Sequence, residues 1–205
     1  LVGSEMCIRD SAPPQTRRKP VHTALQVSSM HDRTASRKLP RMNAPTAPAE
    51  VTRAERAARQ AEVVRALQAV LPAHALLWQA EDTVPYECDG LTAYRERPLV
   101  VALPETEAQV SAALKACHAL GAPVVARGAG TGLSGGAMPH AMGVTLSLAK
   151  FNKILSVDAR SRTAVVQAGV RNLAISEAAA PYGLYYAPDP SSQIACTIGG
   201  NVAEN

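Results

Sequence analysis

The stretch "ARGAGTGLSGGAMPH", residues 126–140, constrains the fold more than any other part of the sequence. Five of the nine residues from Gly128 to Gly136 are glycine. Glycine permits positive φ and a close approach of the backbone, so such a run brings the main chain near a large ligand. Three kinds of ligand loop are compatible with it: a Rossmann turn, a P-loop and a concave run of backbone amides.

The string "GTGLSG", residues 130–135, matches the dinucleotide pattern G-x-G-x-x-G and follows a predicted strand. Asp158 even stands near the place of a ribose-binding acid. A Rossmann loop must open a helix, because the helix N-terminus holds the pyrophosphate. Here Gly136, Pro139 and Gly143 follow, and then an alternating strand. We therefore exclude a Rossmann turn, and a P-loop also, since Gly136 stands where that motif needs lysine.

A concave run of backbone N–H groups remains, and such a run binds anions without a helix. Arg127 would add a positive charge, and Thr131 and Ser134 would add hydroxyl groups. A flexible glycine-rich surface loop is the alternative interpretation. The apolar segments on both sides favour a loop that is held firmly in a sheet.

Hydrophobic patterning predicts an α+β fold. A helix in residues 51–72 is predicted to begin with a capping box of Thr52 and Glu55. The strand "PLVVALP", the helix "TEAQVSAALKACHALG" and the strand "APVVAR" predict a βαβ unit with a parallel pair of strands. That helix is predicted to have a second capping box, of Thr106 and Gln109, and a C-terminal cap at Gly121.

A second, mostly antiparallel part is predicted after the glycine loop. "GVTLSL" alternates and predicts a strand with one polar face, and "ILSVD" with "TAVVQAG" predicts a hairpin. "NLAISEAAAPYG" predicts a short helix. The final stretch, "APDPSSQIACTIGGNVAEN", is predicted to be a second loop, and the abrupt end predicts a fragment of a longer protein.

Residues 1–41 are expected to be a disordered or non-native leader. They contain eight of the 21 Lys and Arg residues and three of the 17 acidic residues, without hydrophobic periodicity. "LVGSEMCIRDS" resembles translated sequencing-adapter sequence, and Met42 would then be the natural start; a transit peptide is the alternative. The other residues carry 13 bases and 14 acids, so their charge gives no reason to expect a nucleic-acid partner.

The four cysteines form no metal-binding pattern, which favours reduced thiols in the cytoplasm. We see no transmembrane segment in the sequence, because no apolar run approaches about 20 residues. We also assign no metal ligand.

The motifs "ARGAGTGLSGGA" and "PDPSSQIACTIGGNVAEN" together resemble the FAD-binding domain of the p-cresol methylhydroxylase (PCMH)/vanillyl-alcohol oxidase superfamily. With "PYECDGLTAYRERPLVVALPETEAQV", they resemble most the FAD-linked subunit of glycolate oxidase and the FAD-dependent D-lactate dehydrogenases. The resemblance implies a PCMH-type FAD-binding domain at 94–205, truncated at its C-terminus. Residues 42–93 would form an N-terminal helix and the segment that leads into the domain.

The resemblance also implies the FAD contacts. The first loop would surround the pyrophosphate and the second loop would close on the flavin side. The implied cofactor-binding residues are Arg127, Gly128, Ala129, Gly130, Thr131, Gly132, Leu133, Ser134, Gly135, Gly136, Pro188, Asp189, Thr197, Gly199, Gly200 and Asn201. Some members of the superfamily attach FAD to a histidine in the first loop. Thr131 occupies that place here, which implies non-covalent FAD, with His140 as an alternative attachment point.

By resemblance, the whole enzyme oxidises a D-2-hydroxy acid such as glycolate or D-lactate. The catalytic base would lie in a C-terminal half that this chain lacks, so we assign no catalytic residue. The implied partners are an iron–sulfur electron-transfer subunit and a second FAD-domain subunit, which would hold the protein peripherally at the inner membrane. The alternatives on the same domain are a cell-wall-precursor reductase, a sugar-lactone oxidase, the ether-lipid synthase and a non-catalytic subunit.

Overall fold

The structure is a computed structural model that describes residues 4–7, 9–10 and 51–204. The helices are α1 (Arg53–Gln68), α2 (Ala80–Thr83), α3 (Glu107–Ala119), α4 (Asn172–Ala179) and α5 (Ile198–Glu204). The strands are β1 (Ser4–Cys7), β2 (Arg9–Asp10), β3 (Leu76–Leu77), β4 (Val100–Ala102), β5 (Val124–Arg127), β6 (Val144–Ser147), β7 (Ile154–Asp158), β8 (Thr163–Val166) and β9 (Leu184–Tyr185). Single 3-10 turns lie at Ala73–Ala75, Val84–Tyr86 and Ala180–Tyr182.

The two predicted capping boxes have different outcomes. At the start of α1, Thr52 Oγ1 accepts a hydrogen bond from the Glu55 amide, and the Thr52 amide donates to the Glu55 carboxylate at 2.8 Å. At α3, Thr106 Oγ1 accepts from the Gln109 amide at 3.2 Å, as predicted. The Gln109 side chain, however, accepts from the amide of Glu105 instead of that of Thr106. In the second capping box, the hydrogen bond to the Gln109 side chain therefore comes from the residue before the predicted donor.

Gly121 ends α3 as predicted. Its φ is +59°, and its amide donates to the carbonyl of His118. The amide of Ala122 donates to the carbonyl of Cys117 at 2.8 Å. This pair of bonds is a Schellman motif, which requires a residue in the left-handed region and so favours glycine.

The first sheet has the strand order β3-β4-β6-β5, in which β4, β6 and β5 are parallel and β3 is antiparallel. The helix α3 does connect two parallel strands, but β6 lies between them, so they are not neighbours. The prediction of one polar face on β6 is wrong. Thr145 and Ser147 are as buried as their apolar neighbours, because β6 is the inner strand of the parallel part and is covered on both faces.

The second sheet contains the predicted hairpin of β7 and β8, which pair antiparallel with a bulge between Ile154 and Ser156. The backbone of β1 pairs antiparallel with β8, and that of β2 with β9. These two strands lie within residues 1–41, which the sequence predicts to be a disordered or non-native leader. Residues 11–50 lie outside the described residues, so the boundary at 41 stays a prediction, and the boundary at 93 also stays a prediction.

Two apolar cores support the two sheets. One joins α1 and α3 to β4 and β6, and the other joins α4 to β8, β9 and the start of α5. The prediction that residues 187–205 form a loop throughout is wrong, since α5 lies within them. Amides in the first turn of α5 are held by tertiary contacts: Ile198 donates to the carbonyl of Val170, and Gly199 donates to that of Ala168.

Candidate functional site

The first glycine loop connects two adjacent parallel strands, β5 and β6, without a helix. Residues 128–143 contain turns and bends only, as predicted. Gly130 and Gly135 have φ of +73° and +77°, a region that favours glycine. The loop leaves the carboxyl end of β5, which is the edge of a parallel sheet where ligands commonly bind.

The loop has little room for side chains. A Cβ added to Gly128 would lie 2.5 Å from Thr197 Oγ1, and one added to Gly132 would lie 2.9 Å from a carboxylate oxygen of Glu204. A Cβ on Gly130 would overlap the guanidinium of Arg127. The backbone of the first loop is therefore packed closely against α5 and against the end of β5.

Arg127 is directed toward the segment that leads into the domain. Its side chain is buried, Nη1 donates to the carbonyl of Cys88 at 2.8 Å, and the guanidinium lies 5.6 Å from the ring centroid of Tyr86. These contacts hold the end of β5, from which the glycine loop starts. Arg127 thus positions the loop, and its role as a positive charge for the ligand stays a prediction.

The other side chains of the first loop are more open. Leu133 is 71% exposed and Ser134 is also exposed, while Thr131 is half-buried. Ala129 and Gly136 are exposed as well. His140 is exposed, and its Nδ1 accepts a hydrogen bond from the Met142 amide. The face that the loop presents to solvent therefore combines main chain and small side chains with two larger ones, Leu133 and His140.

The second predicted segment meets the first loop at Thr197. A Cβ on Gly128 would also lie 3.9 Å from the Cα of Gly200, so the start of α5 adjoins the start of the glycine loop. A Cβ on Gly199 would lie 2.9 Å from that of Ala168, and the Gly199 amide is engaged by the Ala168 carbonyl. Gly199 therefore allows close packing of α5, and its amide is not open to a ligand.

Helix α4 holds the second loop through two side chains that are not among the predicted site residues. Asn172 is fully buried, and its Nδ2 donates to the carbonyl of Pro188 at 3.1 Å. Ser176, one turn later, accepts from the amide of Tyr186 at 3.0 Å. Pro188 and Asp189 remain exposed beyond these bonds. In the sequence, the i, i+4 spacing of Asn172 and Ser176 on a predicted helix indicates that the two side chains lie on the same helix face.

Three buried side-chain atoms in this region of the described chain lack partners: the acceptor Asn172 Oδ1 and two atoms that can donate, on Thr197 and Asn201. Thr197 Oγ1 and Asn201 Nδ2 make no hydrogen bond within residues 51–204, although buried donors are nearly always satisfied. Both atoms can donate, and Thr197 adjoins the glycine loop. A loop in which Gly128, Gly130 and Gly132 leave no room for a Cβ, together with two unsatisfied donors, fits the anionic pyrophosphate of FAD.

Cys196 precedes Thr197 and is buried, as expected for a small structural residue. Burial raises the pKa of the nearby Tyr186 hydroxyl, and Cys196 raises it further. The Tyr186 hydroxyl therefore stays protonated near neutral pH.

No helix in the described part of the chain is long and apolar enough to cross a membrane.

The family model described as "FAD binding domain" matches residues 98–205, which include both loops and α5. The chain belongs to the FAD-binding-domain family. Its cofactor class is therefore FAD, as the resemblance implied.

Two curated relatives agree with this assignment. The chain is 61% identical to the glycolate oxidase subunit GlcD of Escherichia coli (strain K12) over 143 residues, 70% of this chain and 29% of that protein. It is 37% identical to a D-2-hydroxyglutarate dehydrogenase of Xanthomonas citri over 142 residues, 69% of this chain and 30% of that one. The chain thus spans under a third of the length of these relatives.

Solved structures confirm the fold class. An alkyldihydroxyacetonephosphate synthase aligns with a TM-score of 0.63 at 22% identity, covering 70% of this chain and 29% of its own. A p-cresol methylhydroxylase with bound substrate aligns with a TM-score of 0.54 at 23% identity, covering 65% and 26%. The prediction of an α+β, PCMH-type FAD-binding domain is confirmed.

Proposed function

We propose that this chain forms the FAD-binding part of an oxidoreductase that oxidises a D-2-hydroxy acid, glycolate or D-lactate. The observation that carries the proposal is the first loop, where a Cβ at Gly128, Gly130 or Gly132 would meet another group. The 61% identity to a glycolate oxidase subunit supports the substrate class. FAD, when bound, supplies the acceptor for the hydride that leaves the α-carbon of the acid.

The residues of the chain divide into those that contact FAD and those that position them. The amides of the loop from Gly128 to Gly136 would surround the pyrophosphate, and Thr197 Oγ1 and Asn201 Nδ2 would donate to its oxygens. Without FAD these two side-chain donors are buried and have no hydrogen-bond partner within residues 51–204. Bound FAD would supply the missing acceptors. Pro188 and Asp189 would lie on the flavin side, in a loop that Asn172 holds by its bond to the Pro188 carbonyl.

We infer that FAD is held without a covalent bond. Thr131, at the place of the family's attachment histidine, has a hydroxyl that forms no histidyl linkage. His140, the alternative attachment point, uses Nδ1 as the acceptor for the Met142 amide, which leaves Nε2 as its remaining ring nitrogen. Retention in the site then depends on the glycine loop and on the hydrogen bonds alone.

The name of the relative, glycolate oxidase subunit GlcD, says that it is one component of an assembly. We propose that this protein likewise passes electrons to an iron–sulfur subunit and pairs with a second FAD-domain subunit. Such an assembly would place it in the cytoplasm, peripherally at the inner membrane.

The test uses the full-length protein that carries this chain. Its visible spectrum is recorded before and after anaerobic addition of glycolate, D-lactate and D-2-hydroxyglutarate, with L-lactate as the stereochemical control. We expect an oxidised flavin spectrum that is bleached by one or more of the D-2-hydroxy acids or glycolate, and not by L-lactate. A colourless protein that fails to take up added FAD refutes the cofactor site, and a flavin that all three acids leave oxidised refutes the substrate class.

Covalency is tested separately by acid precipitation. We expect the flavin to remain in the supernatant after the protein is removed. Flavin that precipitates with the protein contradicts the inference from Thr131. A Thr131→Ala variant then tells whether that residue matters for retention.

A further inference from the structure

The segment Tyr86–Leu91 forms a third side of the proposed FAD site. It precedes the residues that the family model matches, and none of its residues is among the predicted cofactor-binding residues. The carbonyl of Cys88 accepts from Arg127, at the start of the glycine loop. A Cβ on Gly90 would lie 2.7 Å from the carbonyl oxygen of Thr131 and 2.8 Å from that of Gly132. The segment is thus packed against the middle of the loop as well as its start.

Asp89 lies in this segment with a carboxylate oxygen that has no partner. The residue is only 4% exposed. Its Oδ1 accepts from the amide of Leu91 at 2.9 Å, whereas Oδ2 accepts no hydrogen bond from residues 51–204. The neighbouring guanidinium of Arg127 donates to the Cys88 carbonyl and forms no ion pair with Asp89. A buried carboxylate oxygen without a donor is costly, so a donor from outside the described chain is expected.

We propose that Asp89 is a FAD-binding residue whose Oδ2 accepts a hydrogen bond from a hydroxyl group of the bound cofactor. The proposal rests on the proposed function. The pyrophosphate is excluded as the partner, because it is anionic and carries no donor. Hydroxyl groups flank the pyrophosphate on both sides, on the ribityl chain and on the ribose. A segment packed against the middle of the glycine loop lies where such a hydroxyl is expected.

The principal test is Asp89→Asn in the full-length protein, after removal of FAD. Asparagine keeps an oxygen for the Leu91 amide and replaces the second acceptor by an N–H donor. We expect the Kd for FAD, measured by quenching of flavin fluorescence, to rise about tenfold, because a charge-assisted bond is lost. The melting temperature of the apoprotein should stay about the same, since a buried unpaired acceptor is exchanged for a buried unpaired amide donor. Asp82→Asn, an exposed carboxylate on α2, is the matched control and should change neither quantity.

Titrations with FMN and with ADP distinguish the two hydroxyl sources. A ribityl partner predicts that Asp89→Asn weakens FMN binding and leaves ADP binding unchanged, and a ribose partner predicts the reverse. If the variant does not fold, the wild-type protein is titrated with FAD analogues that lack single ribityl or ribose hydroxyls. One analogue should then bind about tenfold more weakly.

The inference is overturned if Asp89→Asn binds FAD within twofold of wild type, or if no deoxy analogue binds more weakly. A purely structural role for Asp89 predicts a lower apoprotein melting temperature with unchanged FAD affinity. Failure of the wild-type protein to bind FAD at all refutes the proposed function instead, so the two failures are separable.

Discussion

The hydroxyl oxygen of Thr197 occupies the space that a side chain on Gly128 would need. The distance from an added Cβ to Thr197 Oγ1 is 2.5 Å, and the next atom, Thr197 Cβ, lies at 3.8 Å. The first loop therefore packs against the start of α5 at the Thr197 hydroxyl group, and this contact requires glycine at position 128.

Gly128→Ala should disturb both loops, because the new methyl group forces Thr197 or the loop to move. We expect the free energy of unfolding to fall by about 1–3 kcal/mol and FAD to bind more weakly. In a Thr197→Ala background the nearest atom is at an ordinary contact distance, so the added cost should be much smaller. Urea denaturation and fluorescence titration of the four proteins measure this coupling.

Gly136→Ala is the control for stability in the same loop. Its added Cβ would meet only the end of the Glu204 side chain, at 3.3 Å, which can move. If Gly136→Ala loses as much stability as Gly128→Ala, any added side chain in the loop is destabilising. That result would contradict a specific effect of the contact between residue 128 and Thr197.

Gly121→Ala should destabilise the protein through backbone strain alone. Its φ is +59° and an added Cβ would meet no atom within 4 Å, so no clash contributes. We expect a cost of about 1 kcal/mol, and a smaller one for Gly121→Asn, because asparagine tolerates the left-handed region better than alanine. Urea denaturation measures both, and an alanine variant as stable as wild type would contradict the Schellman geometry. FAD affinity should not change.

Asp158 should make the hairpin sensitive to acid. Hydrogen bonds from the side chain and amide of Ser161, and from the amide of Arg160, hold the pKa of its carboxyl below the ordinary value of 3.8. A lowered pKa in the folded state stabilises the protein above the unfolded pKa, and this stability is lost as pH falls through the folded pKa. Asp158→Asn should thus be less stable than wild type at pH 7, and the difference should vanish near pH 2.

The check on Asp158 is a series of urea midpoints between pH 7 and pH 2 for both proteins. Ser161→Ala should give a smaller pH-dependent difference, since it removes one of the bonds. Parallel curves for wild type and Asp158→Asn over the whole range would rule out the lowered pKa.

The cysteines should differ in their reaction with iodoacetamide. Burial raises the pKa of the Cys117 thiol, which is 2% exposed between α3 and the first sheet. Cys88 is half-buried and is expected to be alkylated first in the native protein. Peptide mass spectrometry over time, with a urea-unfolded sample as reference, measures the two rates. Equal rates in the native protein would show that Cys117 is accessible.

The sequence by itself determined the features that depend on near neighbours in the chain. The capping of α1 by Thr52, the left-handed end of α3 at Gly121 and the absence of a helix after the glycine loop each follow from a few adjacent residues. Their physical causes, a side-chain cap, a positive φ and the breaking of helices by glycine and proline, act within one or two turns. For the same reason the choice against a Rossmann turn was available from the sequence.

Only the tertiary structure decided which distant segments meet. The insertion of β6 between β4 and β5 buried Thr145 and Ser147, which alternation had assigned to a polar face. The helical turn at Gly199 depends on carbonyls some thirty residues earlier in the chain, at Ala168 and Val170, and local propensity disfavours it. The packing of Gly90 on the glycine loop and the unpartnered oxygen of Asp89 also arise from packing between segments far apart in sequence. Close packing and the satisfaction of buried polar atoms are properties of the assembled chain, and no local pattern encodes them.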